Sequence, residues 1–124
     1  MGVAMGETRI RVRFRALRTS PASQELNLLV DSRAVYSWLP RKFLEELGVK
    51  PVRRGRFKTI KGEVLVRDVG HLFVEYEGEI APTTVVFAEE GDESVFGLHA
   101  LESLGLEVDP VTRQVRKSEA LIAL

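Results

Sequence analysis

The stretch Leu28-Leu29-Val30-Asp31-Ser32-Arg33-Ala34 places one carboxylate at the end of an apolar strand, at the point where the chain turns sharply. A carboxylate in this position is suited to acid–base chemistry, but one carboxylate cannot act as acid and base at the same time. Such chemistry would therefore need a second copy of the segment. The alternative interpretation is an aspartate that caps a turn, or the helix that follows Pro40.

The composition excludes several classes of site. The 124-residue chain has no cysteine, which removes thiol catalysis, disulfides and thiolate metal ligands. Its two histidines, His71 and His99, lie far apart without the spacing of a metal motif. We therefore predict no metal and no cofactor.

The charge balance bears on possible partners. Eighteen basic and eighteen acidic residues cancel, so no overall field attracts nucleic acid or an anionic membrane. The arginines of the segment 9–18 alternate with apolar residues, a period typical of a half-buried strand. No apolar run approaches the roughly twenty residues of a membrane span, and no signal peptide is recognisable. We predict a cytoplasmic protein that binds neither nucleic acid nor membranes.

Strand-like segments dominate the chain, and two short helices interrupt them. One helix begins at Pro40 and ends at Gly48, and the other runs from about His99 to Leu104 and ends at Gly105. The expected strands have alternating or β-branched sequences. They are about 8–17, 25–30, 56–60, 63–66, 71–76, 83–87, 94–96 and 114–116.

Turn signals join some of these strands. Lys61-Gly62 separates two strands at the two-residue spacing of a β-hairpin, and Gly62 is free to adopt a positive φ. Glu77-Gly78 is a weaker signal of the same kind. The sequence thus predicts a protruding hairpin tipped by Ile60, Lys61 and Gly62.

The two helices have related sequences, Leu44-Glu45-Glu46-Leu47-Gly48-Val49 and Leu101-Glu102-Ser103-Leu104-Gly105-Leu106. Each follows an apolar strand and a tight loop. This pattern is consistent with two related halves, or with chance, since leucine and glutamate are common in helices. If the halves are related, the segments 31–33 and 96–97 are expected at corresponding places.

Three motifs occur in a characteristic order. They are the segment 29–34 around Asp31, the hairpin tipped by Gly62, and Val95-Phe96-Gly97 before the helical segment that leads to Pro110. In this order the sequence resembles prokaryotic retropepsin-like aspartic proteases, the retroviral type of clan AA. The resemblance covers about residues 8 to 117.

The resemblance implies an all-β fold, a closed and mainly antiparallel acid-protease barrel with one or two short helices, and a homodimer. It divides the chain into an N-terminal extension (1–7), a protease domain (8–117) and a C-terminal tail (118–124). The tail would either join an intersubunit strand layer or be a frayed end. It also implies that two copies of Asp31 share a proton and activate water to hydrolyse a peptide bond. Ser32 and Ala34 would complete the active-site loop, and Ile60, Lys61 and Gly62 would form the flap over a peptide or protein substrate. Phe96 and Gly97 would support the loop.

Arg33 departs from the family, which has glycine at this position. A cation beside a carboxylate lowers its pKa, whereas the shared proton requires one Asp31 to stay protonated. We therefore predict weakened or lost peptidase activity. The alternative function is a catalytically silent dimer that binds extended peptides.

Overall fold

A computed structural model describes residues 7–118, which form a mostly β structure with two short helices. The C-terminal tail, 118–124, lies outside the described residues except for its first residue, so its predicted role stays a prediction. The elements in chain order are β1 Arg9–Arg15, β2 Gln24–Val30, β3 Ser37–Pro40, α1 Arg41–Leu47, β4 Arg53–Lys58, β5 Val64–Tyr76, β6 Glu79–Ala88, β7 Val95–Phe96, α2 Leu98–Ser103, β8 Leu106–Val108 and β9 Val115–Lys117.

Seven of these strands form one mixed sheet in the order β1-β2-β7-β3-β6-β5-β4, and β1 pairs additionally with β5. Neighbouring strands are mainly antiparallel, but β2 runs parallel to β7 and β3 runs parallel to β6. Strands β8 and β9 form a separate antiparallel pair. The central strands β7 and β3 therefore connect early and late parts of the chain.

The core lies between the sheet and the two helices. β1 alternates as its sequence predicts, with Ile10, Val12 and Phe14 buried and the arginines on the other face. Phe43 of α1 packs edge-on against Phe14, with ring centroids 5.9 Å apart. Within residues 7–118 no helix is long and apolar enough to cross a membrane.

Both predicted helices are present, with shifted ends. Pro40 is the N-cap residue of α1 and the last residue of β3, instead of the first helical residue. Gly48 ends α1 at φ +94°, where its N–H bonds to Glu45 O, as expected for a left-handed C-terminal glycine. Helix α2 begins one residue before His99 and ends at Ser103, and Gly105 has φ +70°.

The strands differ from the predictions in three places. The predicted strands 63–66 and 71–76 are one continuous strand, β5, which pairs with β4 in its first part and with β6 in its second. No strand was predicted at β3 or at β8. Both are short, with four and three residues, and carry too few alternations to be recognised from periodicity.

Two hairpin turns lie where glycine signals them. Gly78 and Glu77 both have positive φ, so the weaker signal marks a two-residue turn. At the other hairpin the predicted two-residue turn is a three-residue loop, Ile60-Lys61-Gly62, closed by Thr59 N–H donating to Glu63 O at 2.8 Å. Gly62, at φ +87°, is the left-handed residue of this loop.

The chain follows the same path twice, displaced by 57 residues. Leu29 pairs with Val95, and the positions 57 later and earlier, Val86 and Trp38, pair in the same parallel manner. Trp38 and Val95, which are also 57 apart, pair with each other where β3 meets β7. The same shift relates Leu44 of α1 to Leu101 of α2. This register supports two related halves.

The expected correspondence within those halves was wrong. With the shift of 57, the counterparts of Phe96 and Gly97 in the first half are Leu39 and Pro40. The counterpart of Asp31 is Ala88, the last residue of β6. Short sequence matches in the helices locate the repeat, but the alignment of the loops between them needs the strand register.

Candidate functional site

Asp31 is the first residue beyond β2, at the end of the parallel pair that β2 forms with β7. Its N–H donates to Phe96 O at 3.0 Å, and its carbonyl accepts the N–H of Ala34 at 3.0 Å. These two bonds fix the backbone on both sides of the carboxylate. The side chain is 29% exposed, and Asp31 lines three cavities.

The segment around Gly97 crosses the Asp31 loop at close range. A Cβ atom at position 97 would lie 2.5 Å from Tyr36 C and 2.9 Å from Ala34 O, so only glycine fits without movement of the loop. The next two amides, of Leu98 and His99, donate to Ala34 O and Val35 O, each at 2.8 Å. The start of α2 is thereby joined to the Asp31 loop.

Buried polar side chains reinforce the crossing. Ser37, which is buried, accepts the N–H of Gly97 on its Oγ at 2.9 Å. The His99 ring lies edge-on to Tyr36, and its Nδ1 is 3.0 Å from the hydroxyl of buried Thr83. His99 is thus a packing residue. Sequence reasoning did not identify Ser37, because a lone serine on a short strand carries no signal.

Arg33 turns back onto Asp31. Its backbone N–H and its Nε both donate to Oδ1 of Asp31, at 3.0 and 3.2 Å. Partial burial acts to raise the pKa of Asp31, but the hydrogen bonds from Arg33 and its positive charge outweigh it, so the pKa lies below its ordinary value. At neutral pH the carboxylate is therefore ionised and partnered.

The backbone at position 33 does not require glycine. Within residues 7–118 the non-glycine residues with positive φ are Glu77 and Arg113, so Arg33 is in an ordinary conformation. Ser32 beside it is exposed, and its hydroxyl has no hydrogen-bond partner within the described residues. Ser32 and Arg33 thus present polar groups on the surface next to the carboxylate.

The β4–β5 hairpin extends over the Asp31 loop, and a cavity of about 480 Å³ lies between them. Trp38, Phe57 and Leu65 form its apolar wall, with the Trp38 and Phe57 rings edge-on at 5.3 Å between centroids. Trp38, on the short strand β3, is half-buried and lines the cavity. The other lining residues are Asp31, Arg33, Ala34, Val35, Tyr36, Arg56, Lys58, Thr59 and Ile60.

A second depression continues from this cavity along the hairpin tip. It has a volume of about 580 Å³, and Ile60 and Lys61 line it together with Asp31 and Ala34. Gly62 lines neither cavity and contributes the turn geometry instead. The structure thus brings Ile60 and Lys61 to the Asp31 loop, while Phe96 and Gly97 support that loop from behind.

The corresponding loop of the second half, residues 89–94, is held by arginines. Arg67 donates two hydrogen bonds to Asp92, at 2.7 and 3.0 Å, and these lower the pKa of Asp92 despite its partial burial. Arg41 bonds to Glu89 at 2.7 Å and to Asp68 at 2.5 Å, and its guanidinium lies over the Phe87 ring. In the part of the chain that the structure describes, no group of three or more candidate ligands is placed to hold a metal ion.

Comparisons with known proteins reveal a similarity of overall structure. No protein-family model matches the chain, and no curated protein matches it in sequence. The solution structure of the simian foamy virus (mac) protease is similar to it with 20% sequence identity and a TM-score of 0.48. The alignment covers 76% of this chain and 91% of that protease.

Proposed function

We propose that the chain is a homodimeric retropepsin-like aspartic peptidase whose activity Arg33 suppresses. The observation that carries the proposal is the position of Asp31, which is fixed by backbone hydrogen bonds at the base of a cleft beneath a β-hairpin. The pairing of β1 with β5 returns the sheet towards its first strand, as a closed acid-protease barrel requires. A cytoplasmic location is part of the proposal and agrees with the absence of cysteine.

In the proposed dimer, Asp31 of each chain faces the other across a twofold axis. One ionised Asp31 takes a proton from water while the water oxygen attacks the peptide carbonyl carbon. The protonated Asp31 of the second chain gives its proton to the carbonyl oxygen. Collapse of the resulting diol breaks the C–N bond, and the amine leaves with a proton from the first carboxyl group. As the new C=O bond forms, a diol hydroxyl gives its proton to the second carboxylate, so the pair again shares one proton.

Two features of the loop fit this arrangement. The hydroxyl of Ser32 is exposed and without a partner within residues 7–118, and is therefore available for a hydrogen bond to the second chain. Val35 and Leu98, on the same surface, are exposed apolar side chains. Burial against a second copy would remove both from water.

The contact between Arg33 and Asp31 favours a second candidate, a silent dimer that binds extended peptides. The mechanism needs one protonated carboxyl group, and the guanidinium stabilises the ionised form. If both carboxyl groups are ionised, neither can donate a proton to the carbonyl oxygen. In this case the cleft would bind peptides without cleaving them.

Digestion of a peptide library from about pH 4 to about pH 7 distinguishes the two candidates. We expect little or no cleavage by the unmodified protein and an increase of about 10²-fold or more in the Arg33→Gly variant. Pepstatin should inhibit the restored activity, and Arg33→Gly/Asp31→Asn should abolish it. If Arg33→Gly remains inactive while it still binds peptides, the silent dimer is the better description.

A further inference from the structure

The cavity of about 480 Å³ beneath the hairpin carries an excess of positive charge, whereas the adjoining depression at the hairpin tip is lined by Glu63, Asp92 and Glu93. The cavity lining includes Arg33, Arg56 and Lys58 but one carboxylate, that of Asp31. Arg56 and Lys58 are exposed on β4 and form no ion pair with a carboxylate in residues 7–118. The neighbouring arginine, Arg54, differs because it pairs with Asp68 at 3.4 Å. Arg56 and Lys58 are thus two cations of the cavity lining that no carboxylate within residues 7–118 neutralises.

Arg33 has hydrogen-bonding capacity that Asp31 does not use. A guanidinium carries five N–H donors, and the Arg33–Asp31 side-chain contact uses the donor on Nε. The terminal nitrogens Nη1 and Nη2 have no partner among the described residues, and the side chain is 79% exposed. These two parallel donors match the two oxygens of a carboxylate.

We propose that the cleft selects acidic peptides, with one substrate carboxylate bound by Nη1 and Nη2 of Arg33 and a favourable field from Arg56 and Lys58. This inference rests on the proposed function, because it takes the cleft to be the peptide site. It makes Arg33 a specificity-determining residue as well as the group that suppresses catalysis. The substrate carboxylate also competes with Asp31 for the guanidinium, so an acidic ligand weakens the hold of Arg33 on Asp31.

An extended peptide fits this site better than another polyanion does. The cavity lining also includes the apolar side chains of Trp38, Phe57 and Leu65, and Phe57 lies on β4 between Arg56 and Lys58. β4 is the last strand of its sheet, so its free backbone edge is available to an extended chain. A peptide that carries both apolar and acidic side chains can contact both kinds of lining residue.

The test measures binding of matched peptides to the Asp31→Asn variant, in which no cleavage can occur. The peptides are short, fluorescently labelled and blocked at both termini, and each pair differs by Glu or Gln at one position. We expect the Glu peptide of at least one pair to bind about tenfold more tightly, with a preference that shrinks as ionic strength rises.

Two further variants test whether Arg33 causes the preference for the Glu peptide. Arg33→Gln in the same background should reduce the ratio of the two affinities to about one. Arg18→Gln, which removes an exposed arginine from the β1–β2 connection, should leave that ratio unchanged. Circular dichroism of each variant confirms that it is folded.

The outcomes separate this inference from the function on which it rests. Equal affinity for Glu and Gln peptides overturns the selection of acidic peptides and leaves the peptide cleft intact. A Glu preference that survives Arg33→Gln overturns the role of Arg33. Failure of all peptides to bind overturns the proposed function as well, and so does tighter binding of a single-stranded oligonucleotide of equal charge.

Discussion

Gly97 has a steric role in the candidate site, since its φ of −95° is accessible to any residue. The collision of a Cβ atom with Tyr36 and Ala34 O involves backbone, which cannot move aside as a flexible side chain does. We expect Gly97→Ala to lower the free energy of unfolding by about 1–3 kcal/mol, measured by urea denaturation. Ser94→Ala, which removes one small group near β7, is the control and should change it by about 0.5 kcal/mol or less. Equal stability of the two variants would contradict the close crossing.

Asp92 links the stability of the second loop to pH. Its pKa in the folded state lies below the value of about 3.9 expected in the unfolded chain, mainly through the hydrogen bonds from Arg67. The carboxylate therefore contributes stability that is complete above this unfolded value and is lost as the pH falls through the folded pKa. We expect Asp92→Asn to lower the free energy of unfolding by about 1–3 kcal/mol at neutral pH. The difference from the unmodified protein should shrink as the pH falls through the folded pKa of Asp92.

Urea denaturation of both proteins at several pH values measures this convergence. Glu93→Gln, on the same loop and exposed, is the matched control and should follow the unmodified protein throughout. If the free energy of unfolding of Asp92→Asn stays equally far below that of the unmodified protein in acid, the charge of Asp92 is not the cause of the lower stability.

Individual residues of the site differ in how far the sequence foretells them. The placement of Asp31 follows from an apolar strand that ends in a polar turn, because burial stops where the apolar residues stop. The contact of Arg33 with Asp31 does not follow, since an exposed arginine has many rotamers and local hydrogen bonding selects among them. The half-buried position of Trp38 does not follow either, because it depends on the contact with the distant Phe57.

The tip of the β4–β5 hairpin projects into solvent, and Ile60 at this tip is 91% exposed. Gly62 has φ +87°, and a Cβ atom added there would meet no atom within 4 Å, so Gly62→Ala would strain the turn without a collision. We expect this strain to be about 1 kcal/mol and the amide hydrogen of Thr59 to exchange about fivefold faster as a result. The global unfolding midpoint should change little, because the tip contributes nothing to the core.

Gly78→Ala is the matched control for this element. It introduces the same kind of strain in the β5–β6 turn, where φ is +86° and an added Cβ atom would again meet nothing within 4 Å. Amide hydrogen exchange should become faster at that turn and stay unchanged at Thr59. An unchanged Thr59 rate in Gly62→Ala would indicate that the tip is already open.

At the level of elements, the sequence predicted the long strands and both helices better than the short pieces. β1 and the helix ends have clear periodicity or glycine signals. β5 was divided in two because its middle, around Asp68 and Gly70, interrupts the apolar alternation. That interruption is tolerated since the strand changes partners there, from β4 to β6, which sequence periodicity does not reveal.

For the whole molecule, the proposed dimer makes stability depend on protein concentration. Val35 and Leu98 are 62% and 36% exposed beside the Asp31 loop. We expect Val35→Asp/Leu98→Asp to be monomeric in sedimentation velocity and to lose the rise of the melting temperature with concentration. Leu17→Asp, 65% exposed at the other end of β1, should remain dimeric. A monomeric unmodified protein would refute the shared pair of carboxylates.

Neither half of the sheet can form by itself, because each parallel pair joins a strand of the first half to a strand of the second half. β2 finds its parallel neighbour in β7, and β6 finds its own in β3. A growing chain that ends after β4 therefore has β3 without either of its neighbours. Such long-range pairing makes folding slow, in the range of about milliseconds to seconds, and leaves no half that could fold first as an independent unit. Synthesis of the last third of the chain is thus a precondition for folding of the first.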